Sequence, residues 1–221
     1  MSKVRLKFSK LGMGKYISHL DLLRTFTRAI HRAGLPVKYS QGFNPHQLIT
    51  FSLPLALGVT SETEFVDIDF EDGTDKLLIV KKLNECLPPD IKILEASEPV
   101  IKAKDIVSAR YTVALDLKNS ITEDMLDAFF AQEEIPAVKK TKRGEKEINL
   151  REYIGSYKLK GSTESSAEFE VILSAGGETN IKPDILVSKL CEFLGDGVCE
   201  NAEIHRTEIF YTKGSNIATF C

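Results

Sequence analysis

Residues 3–8 alternate without exception, Val4, Leu6 and Phe8 against Lys3, Arg5 and Lys7, and this two-residue period commits the start of the chain to a half-buried strand. The next segment changes period. Ser18-x-x-Asp21 is a capping-box pattern that opens a helix, Leu20, Leu23, Thr27 and Ile30 form its expected inner stripe, and Gly34 with Pro36 ends it. Gln47–Leu53 and Glu64–Phe70 alternate as strands on either side of a loop at 54–61. Asp75–Leu87 fits a second helix closed by Pro88-Pro89, and Ile91–Ala96 supplies another strand. The order βαββαβ is that of a split βαβ, ferredoxin-like domain.

The second half repeats this grammar. A strand at 109–117, a capped helix at Thr122–Gln132 and a hairpin at 135–150 turning at Arg143-Gly144 come first. An added strand near Tyr157, a strand at Glu168–Ser174, a helix at Lys182–Leu194 ended by Gly195 and a last strand at 202–211 complete it. The expected class is α+β: two tandem ferredoxin-like domains, 1–98 and 109–221, the second elaborated, with 99–108 as linker. A chain of 221 residues is long enough for each half to bury its own core.

Charge is distributed unevenly. Residues 1–52 hold nine basic residues (Lys3, Arg5, Lys7, Lys10, Lys15, Arg24, Arg28, Arg32 and Lys38) against one acid, Asp21. That segment carries +8 in a chain of net charge −3, so residues 53–221 carry −11. Such a split marks either a polyanion-binding face or two halves that attract each other. The apolar runs fall far short of the roughly 20 residues of a membrane span, and Met1–Lys15 lacks a signal-peptide core, so the chain reads as soluble and cytoplasmic with no membrane partner. Cys86, Cys191, Cys199 and Cys221 are widely spaced, with no CxxC pair and no ligand-like His nearby. No metal site or other cofactor is expected, and the thiols read as reduced.

The densest polar information lies in three ordered motifs, YISHLDLLR from Tyr16, RAGLPVKYSQGFNPH from Arg32 and LPLALGVTSETEFVD from Leu53. Together they resemble the bacterial radical SAM-linked domain family of unknown function, found alone or attached to a B12-binding radical SAM protein. The resemblance implies a radical SAM protein partner and an association with RNA- or ribosome-related modification. The CxxxCxxC motif that would hold the radical SAM cluster is absent, so this chain is expected to be an accessory protein of such a system and not the radical enzyme itself.

The residues themselves support several chemistries. His19 falls in the first helical turn, where the positive end of the macrodipole disfavours imidazolium, so it suits a general base, a ligand contact or a hydrogen bond to a neighbouring loop. Asp21 fits the capping-box carboxylate better than a catalytic acid, because its spacing from Ser18 satisfies exposed backbone N–H groups. Arg24, Arg28 and Arg32 recur at i, i+4 and i+8 and form one stripe, either a solvated outer face or a clamp for successive phosphates. With Ser18 and the loop residues Tyr39, Ser40, Gln41, Gly42, Phe43, Asn44 and His46, they make up the candidate ligand-binding set. Gly42 permits a conformation closed to other residues, and Asn44 before Pro45 is pushed to an extended state. The loop lies at the C-terminal end of the helix and His19 at its start, roughly 20 Å away, so a His19–His46 catalytic pair is not the leading reading.

Glu64 shares a face with Val66, Ile68 and Phe70 and is expected to pair with an arginine of the first helix. Lys3, Arg5 and Lys7 should face Phe65, Asp67 and Asp69 across neighbouring strands. Only Phe65 would then be available for the base stacking of an RNA-recognition motif. The run Lys139–Lys146 is a basic hairpin tip, either edge protection or a second phosphate contact. Gly176-Gly177 is a turn signal, not a phosphate loop. The leading expectation is a non-catalytic accessory protein whose basic N-terminal domain binds RNA or another polyanion. The alternatives are an RNA-processing or RNA-modifying enzyme using His19, with Arg24 or Arg28 stabilising charge, and a protein-binding module.

Overall fold

The computed structural model describes residues 3–141, 144–177, 179–195, 197–214 and 216–221. Among the described residues, four α-helices and antiparallel strands divide between two compact units, Met1–Asp105 with Thr219–Cys221, and Ile106–Ala218.

In the first unit, β1 (Lys3–Lys10), β2 (Ile49–Phe51), β3 (Val59–Asp69) and β4 (Ile91–Ser97) form an antiparallel sheet in the order β4-β1-β3-β2. The alternation of β1 sends Val4, Leu6 and Phe8 into a core roofed by α1 (His19–Arg32) and α2 (Lys76–Cys86). Its other face carries the charges, and the register sets Lys3 opposite Asp69, Arg5 opposite Asp67 and Lys7 opposite Phe65. Arg5 Nε and Nη2 donate to the two Asp67 carboxylate oxygens at 2.7 and 2.9 Å, and Lys3 lies 3.6 Å from Asp69. That face is not open at Arg5, which is only 1% exposed. The Phe220 ring lies 4.5 Å from its guanidinium carbon and edge-on to Phe65, and the Cys221 carbonyl accepts from Arg5 Nη1.

Two expectations for α1 are corrected. The stripe facing the core is Leu22, Phe26, Ala29 and Ile30, while Leu20 is 63% exposed and Leu23 and Thr27 are half-buried at the side. The sequence offers both stripes; the buried one is wholly apolar, and its Phe26 packs edge-to-face on Phe8 and Phe51, at 5.1 and 5.5 Å. Glu64 is buried, and the contacts of the α1 arginines lie elsewhere: Arg24 binds Asp21, Arg32 binds the Cys86 carbonyl, and Arg28 acts on the Asp21 carboxylate through space.

In the second unit, β5 (Ile106–Leu117), β8 (Ile154–Ser162), β9 (Ser166–Ser174) and β10 (Cys199–Lys213) form an antiparallel sheet in the order β10-β5-β9-β8, and β11 (Asn216–Thr219) pairs with β10. Helices α3 (Glu123–Phe130) and α4 (Pro183–Leu194) contribute Leu126, Phe129, Phe130, Leu186 and Leu190 to its core. The elaboration differs from the expectation. The strand at Tyr157 is part of the main sheet, whereas β6 (Pro136–Thr141) and β7 (Gly144–Asn149) stand apart as a two-stranded sheet. Lys142 and Arg143, at the expected turn, lie outside the described residues. β5 also begins inside the stretch expected to be linker.

The expectation of four reduced cysteines is overturned in part. Cys191 near the end of α4 and Cys199 at the start of β10 are joined as a disulfide, because the turn after the Gly195 cap returns the chain until their Cα atoms are 5.7 Å apart. Cys86 and Cys221 are free. Among the described residues no helix is long and apolar enough to cross a membrane.

Candidate functional site

The start of α1 is built around its cap. Ser18 is extended, its Oγ accepts from the Asp21 backbone N–H at 3.2 Å, and its hydroxyl donates to Asp21 Oδ2 at 2.7 Å. Arg24 Nη1 donates to the other Asp21 oxygen at 2.9 Å. The Ser18 and Arg24 hydrogen bonds, in that order, hold the Asp21 carboxyl below its ordinary range. Ser18, Asp21 and Arg24 therefore satisfy one another at the helix entrance. His19, exposed beside them, packs edge-to-face against Phe51 with ring centroids 5.3 Å apart.

The other end of α1 turns back on itself. Ala33 caps the helix, Gly34 takes a positive φ of 60°, the Gly34 N–H bonds the His31 carbonyl and the Leu35 N–H bonds the Ile30 carbonyl. This paired pattern is a Schellman motif, and it needs the left-handed residue that glycine provides. The chain is then pinned to the end of β3 by Lys38 N–H to Asp69 O and Glu71 N–H to Pro36 O.

Residues 38–48 close on themselves. Leu48 N–H bonds Lys38 O, Ser40 N–H bonds His46 O, and Tyr39 bridges Gln47. Ser40 Oγ lies 2.9 Å from His46 Nδ1 and accepts from the His46 backbone N–H, so Ser40 fixes the imidazole. Gln41, Gly42, Phe43 and Asn44 form the exposed tip; Gly42 has a φ of 120°, and Phe43 is fully exposed.

Between the C-terminal half of α1 and this loop lies a groove of about 710 Å³. Arg28, His31 and Arg32 line it from the helix, and Tyr39, His46 and Gln47 face them. One Arg32 amino group donates to the Cys86 backbone carbonyl, which fixes the side chain while leaving other N–H groups of the fork for a ligand. Arg28 and His31 make no hydrogen bond or ion pair among the described residues. Gln47 is 8% exposed; its Nε2 faces the Thr27 carbonyl at 3.4 Å and the Tyr39 hydroxyl at 3.5 Å, and its buried Oε1 has no partner among the described residues.

Of the sequence-predicted residues, the structure brings Arg28, Arg32, Tyr39 and His46 to one groove, with Ser40 behind His46. Ser18, His19 and Arg24 stay at the far end of α1, and Gln41–Asn44 stand at the loop tip; none of these lines the groove. His31 and Gln47 were not among the predicted ligand residues. Both left a trace in the sequence: His31 lies three residues after Arg28 on the same helical face, and Gln47 takes the Ile49 and Phe51 phase, a polar residue where burial was due. Among the described residues no group of three or more His, Cys, Asp or Glu side chains comes together to hold a metal ion.

Residues 3–183 match a family described as an uncharacterized protein conserved in bacteria, DUF2344. The chain belongs to this family. No curated protein matches it. Among solved structures, it is similar to a chain of a Cbf5-Nop10-Gar1 complex, at 12% identity and a TM-score of 0.51, over 93% of this chain and 48% of that one. It is also similar to a chain of the archaeal box H/ACA sRNP Nop10-Cbf5 complex, at 11% identity and a TM-score of 0.44, over 93% of this chain and 47% of that one. The DUF2344 chain thus spans about half the length of these chains, and the likeness to the first is one of fold.

Proposed function

We propose that this DUF2344 protein is an accessory, ligand-binding protein that holds an anionic, RNA-like substrate in the groove of its first unit, for a radical SAM enzyme to act on. One observation carries the reading: two arginines and two histidines converge on one groove, and no acidic side chain lines it. A guanidinium with an unclaimed fork is the natural partner of a phosphate. Arg28 and Arg32 are one turn apart, about 6 Å along the helix, which matches the spacing of adjacent phosphates. The strand orders β4-β1-β3-β2 and β10-β5-β9-β8 support reading each unit as a ferredoxin-like domain, 1–98 and 109–221, with the β6-β7 hairpin as the insertion in the second.

Binding is favoured over catalysis because His19, the candidate base, packs on Phe51 outside the groove. The radical SAM partner rests on the three motifs. The test is binding of a mixed-sequence single-stranded RNA measured against salt. Affinity should fall modestly as salt rises, and Arg28→Ala with Arg32→Ala should lower it about tenfold at low salt while the circular dichroism spectrum is unchanged. RNA binding that is absent at low salt, or that ignores the double substitution, would contradict the reading.

A further inference from the structure

The groove holds more than cations, and its remaining chemistry narrows the ligand. This inference rests on the anionic reading above and goes beyond it. Gln47 lies on the groove floor with a buried carbonyl oxygen that nothing described satisfies. The amide cannot simply be turned over, because its Nε2 would then leave the Thr27 carbonyl facing another acceptor. A buried acceptor without a donor is costly, and an ordered water or a ligand N–H or O–H that reaches it would relieve that cost. Beside it stands the Tyr39 ring, 48% exposed and lining the groove, and one step further along the loop the Phe43 ring projects fully into solvent.

A planar ring with an N–H on its edge, attached to a phosphate, meets all of these demands at once. We propose that the groove takes one unstacked nucleotide of a single-stranded RNA: its two flanking phosphates on Arg28 and Arg32, base against Tyr39, and a base N–H donated to Gln47 Oε1. Phe43 then stacks on the neighbouring base. A groove of about 710 Å³ has room for one nucleotide. In a duplex the N–H groups of the pairing edge are already committed to the opposite strand, so duplex RNA cannot offer its donor to the groove floor. Stacking on an exposed aromatic is the usual source of sequence-tolerant affinity for single strands.

The experiment compares three probes at one low salt concentration: a ten-nucleotide oligouridylate, a self-complementary RNA duplex of equal length, and inorganic polyphosphate of similar charge. The proposal predicts that the oligouridylate binds at least tenfold more tightly than the other two. Tyr39→Ser, at an exposed position, should weaken oligouridylate binding about tenfold and leave polyphosphate unaffected. Gln47→Leu, monitored by its melting curve because the residue is buried, should do the same. Arg28→Ala should weaken both probes. If polyphosphate binds as tightly as oligouridylate, or Tyr39→Ser changes nothing, the nucleotide assignment fails while the anionic reading survives. If neither probe binds, the anionic reading itself fails.

Discussion

Arg5 shows how little of a formal charge need reach the surface. Its guanidinium is buried between Asp67, the Phe220 ring and the Cys221 carbonyl, each satisfying a different part of the fork. Removing one partner of a buried ion pair leaves the other charge unpaired, so Asp67→Ala should cost about 3 kcal/mol, read as a shift in the denaturant midpoint. Asp21 is the opposite case, an exposed carboxylate tuned by a serine and an arginine. Its folded-state pKa is lowered, so its contribution is present above the unfolded value and lost as pH falls through the folded one. Proton titration followed by NMR should place the Asp21 midpoint below that of an exposed reference aspartate, and Ser18→Ala should raise it. Both residues were legible in sequence, Arg5 from strand alternation and Asp21 from its spacing to Ser18. The cover over Arg5 was not, because Phe220 is 215 residues away along the chain and no local pattern encodes that return.

Elements were easiest to read where punctuation was strong. Ser18, Asp75 and Thr122 cap α1, α2 and α3 as their spacing required, and Gly34 and Gly195 mark two helix exits. Which face of α1 turns inward was harder, because Leu20, Leu22 and Leu23 supply apolar residues at three angles and only the aromatic contacts of Phe26 decide among them. The groove depends on the exit of this helix as much as on its arginines. A Cβ at Gly34 meets no neighbouring atom, but its φ of 60° is unfavourable for any other residue. Gly34→Ala should therefore cost about 1 kcal/mol, seen in thermal unfolding, and should weaken RNA binding by loosening the turn into the 38–48 loop. In the second unit, the Cys191–Cys199 bond closes a short loop, with a sequence separation of 8. Its reduction should lower stability by about 2 kcal/mol in paired denaturation curves with and without reductant, leaving RNA binding by the first unit unchanged. Sequence spacing does not reveal this bond, since an eight-residue separation is common to paired and unpaired cysteines.

At the scale of the whole molecule, the +8 of residues 1–52 is largely consumed within the fold. Lys3 and Arg5 are paired on the sheet, Lys10 donates to the Ile17 carbonyl, Arg24 to Asp21, and Lys38 lies 3.8 Å from Asp72. Lys15 lies over the Tyr16 ring and Lys7 stands opposite Phe65 on the sheet, both outside the groove, so what remains inside it is local: Arg28, the rest of the Arg32 fork, and the histidines beside them. The salt dependence of RNA binding should accordingly report only a few phosphates, with a slope of log affinity against log salt that falls by about 1.4 when both arginines are replaced. A slope reporting eight or more contacts would place binding on the chain's overall charge instead. The most direct measurement is amide and side-chain chemical-shift mapping of the isotope-labelled chain during titration with oligouridylate. Perturbations should concentrate on Arg28, His31, Arg32, Tyr39, His46 and Gln47. Shifts confined to the Lys139–Lys146 segment, or no shifts at a saturating concentration, would contradict it.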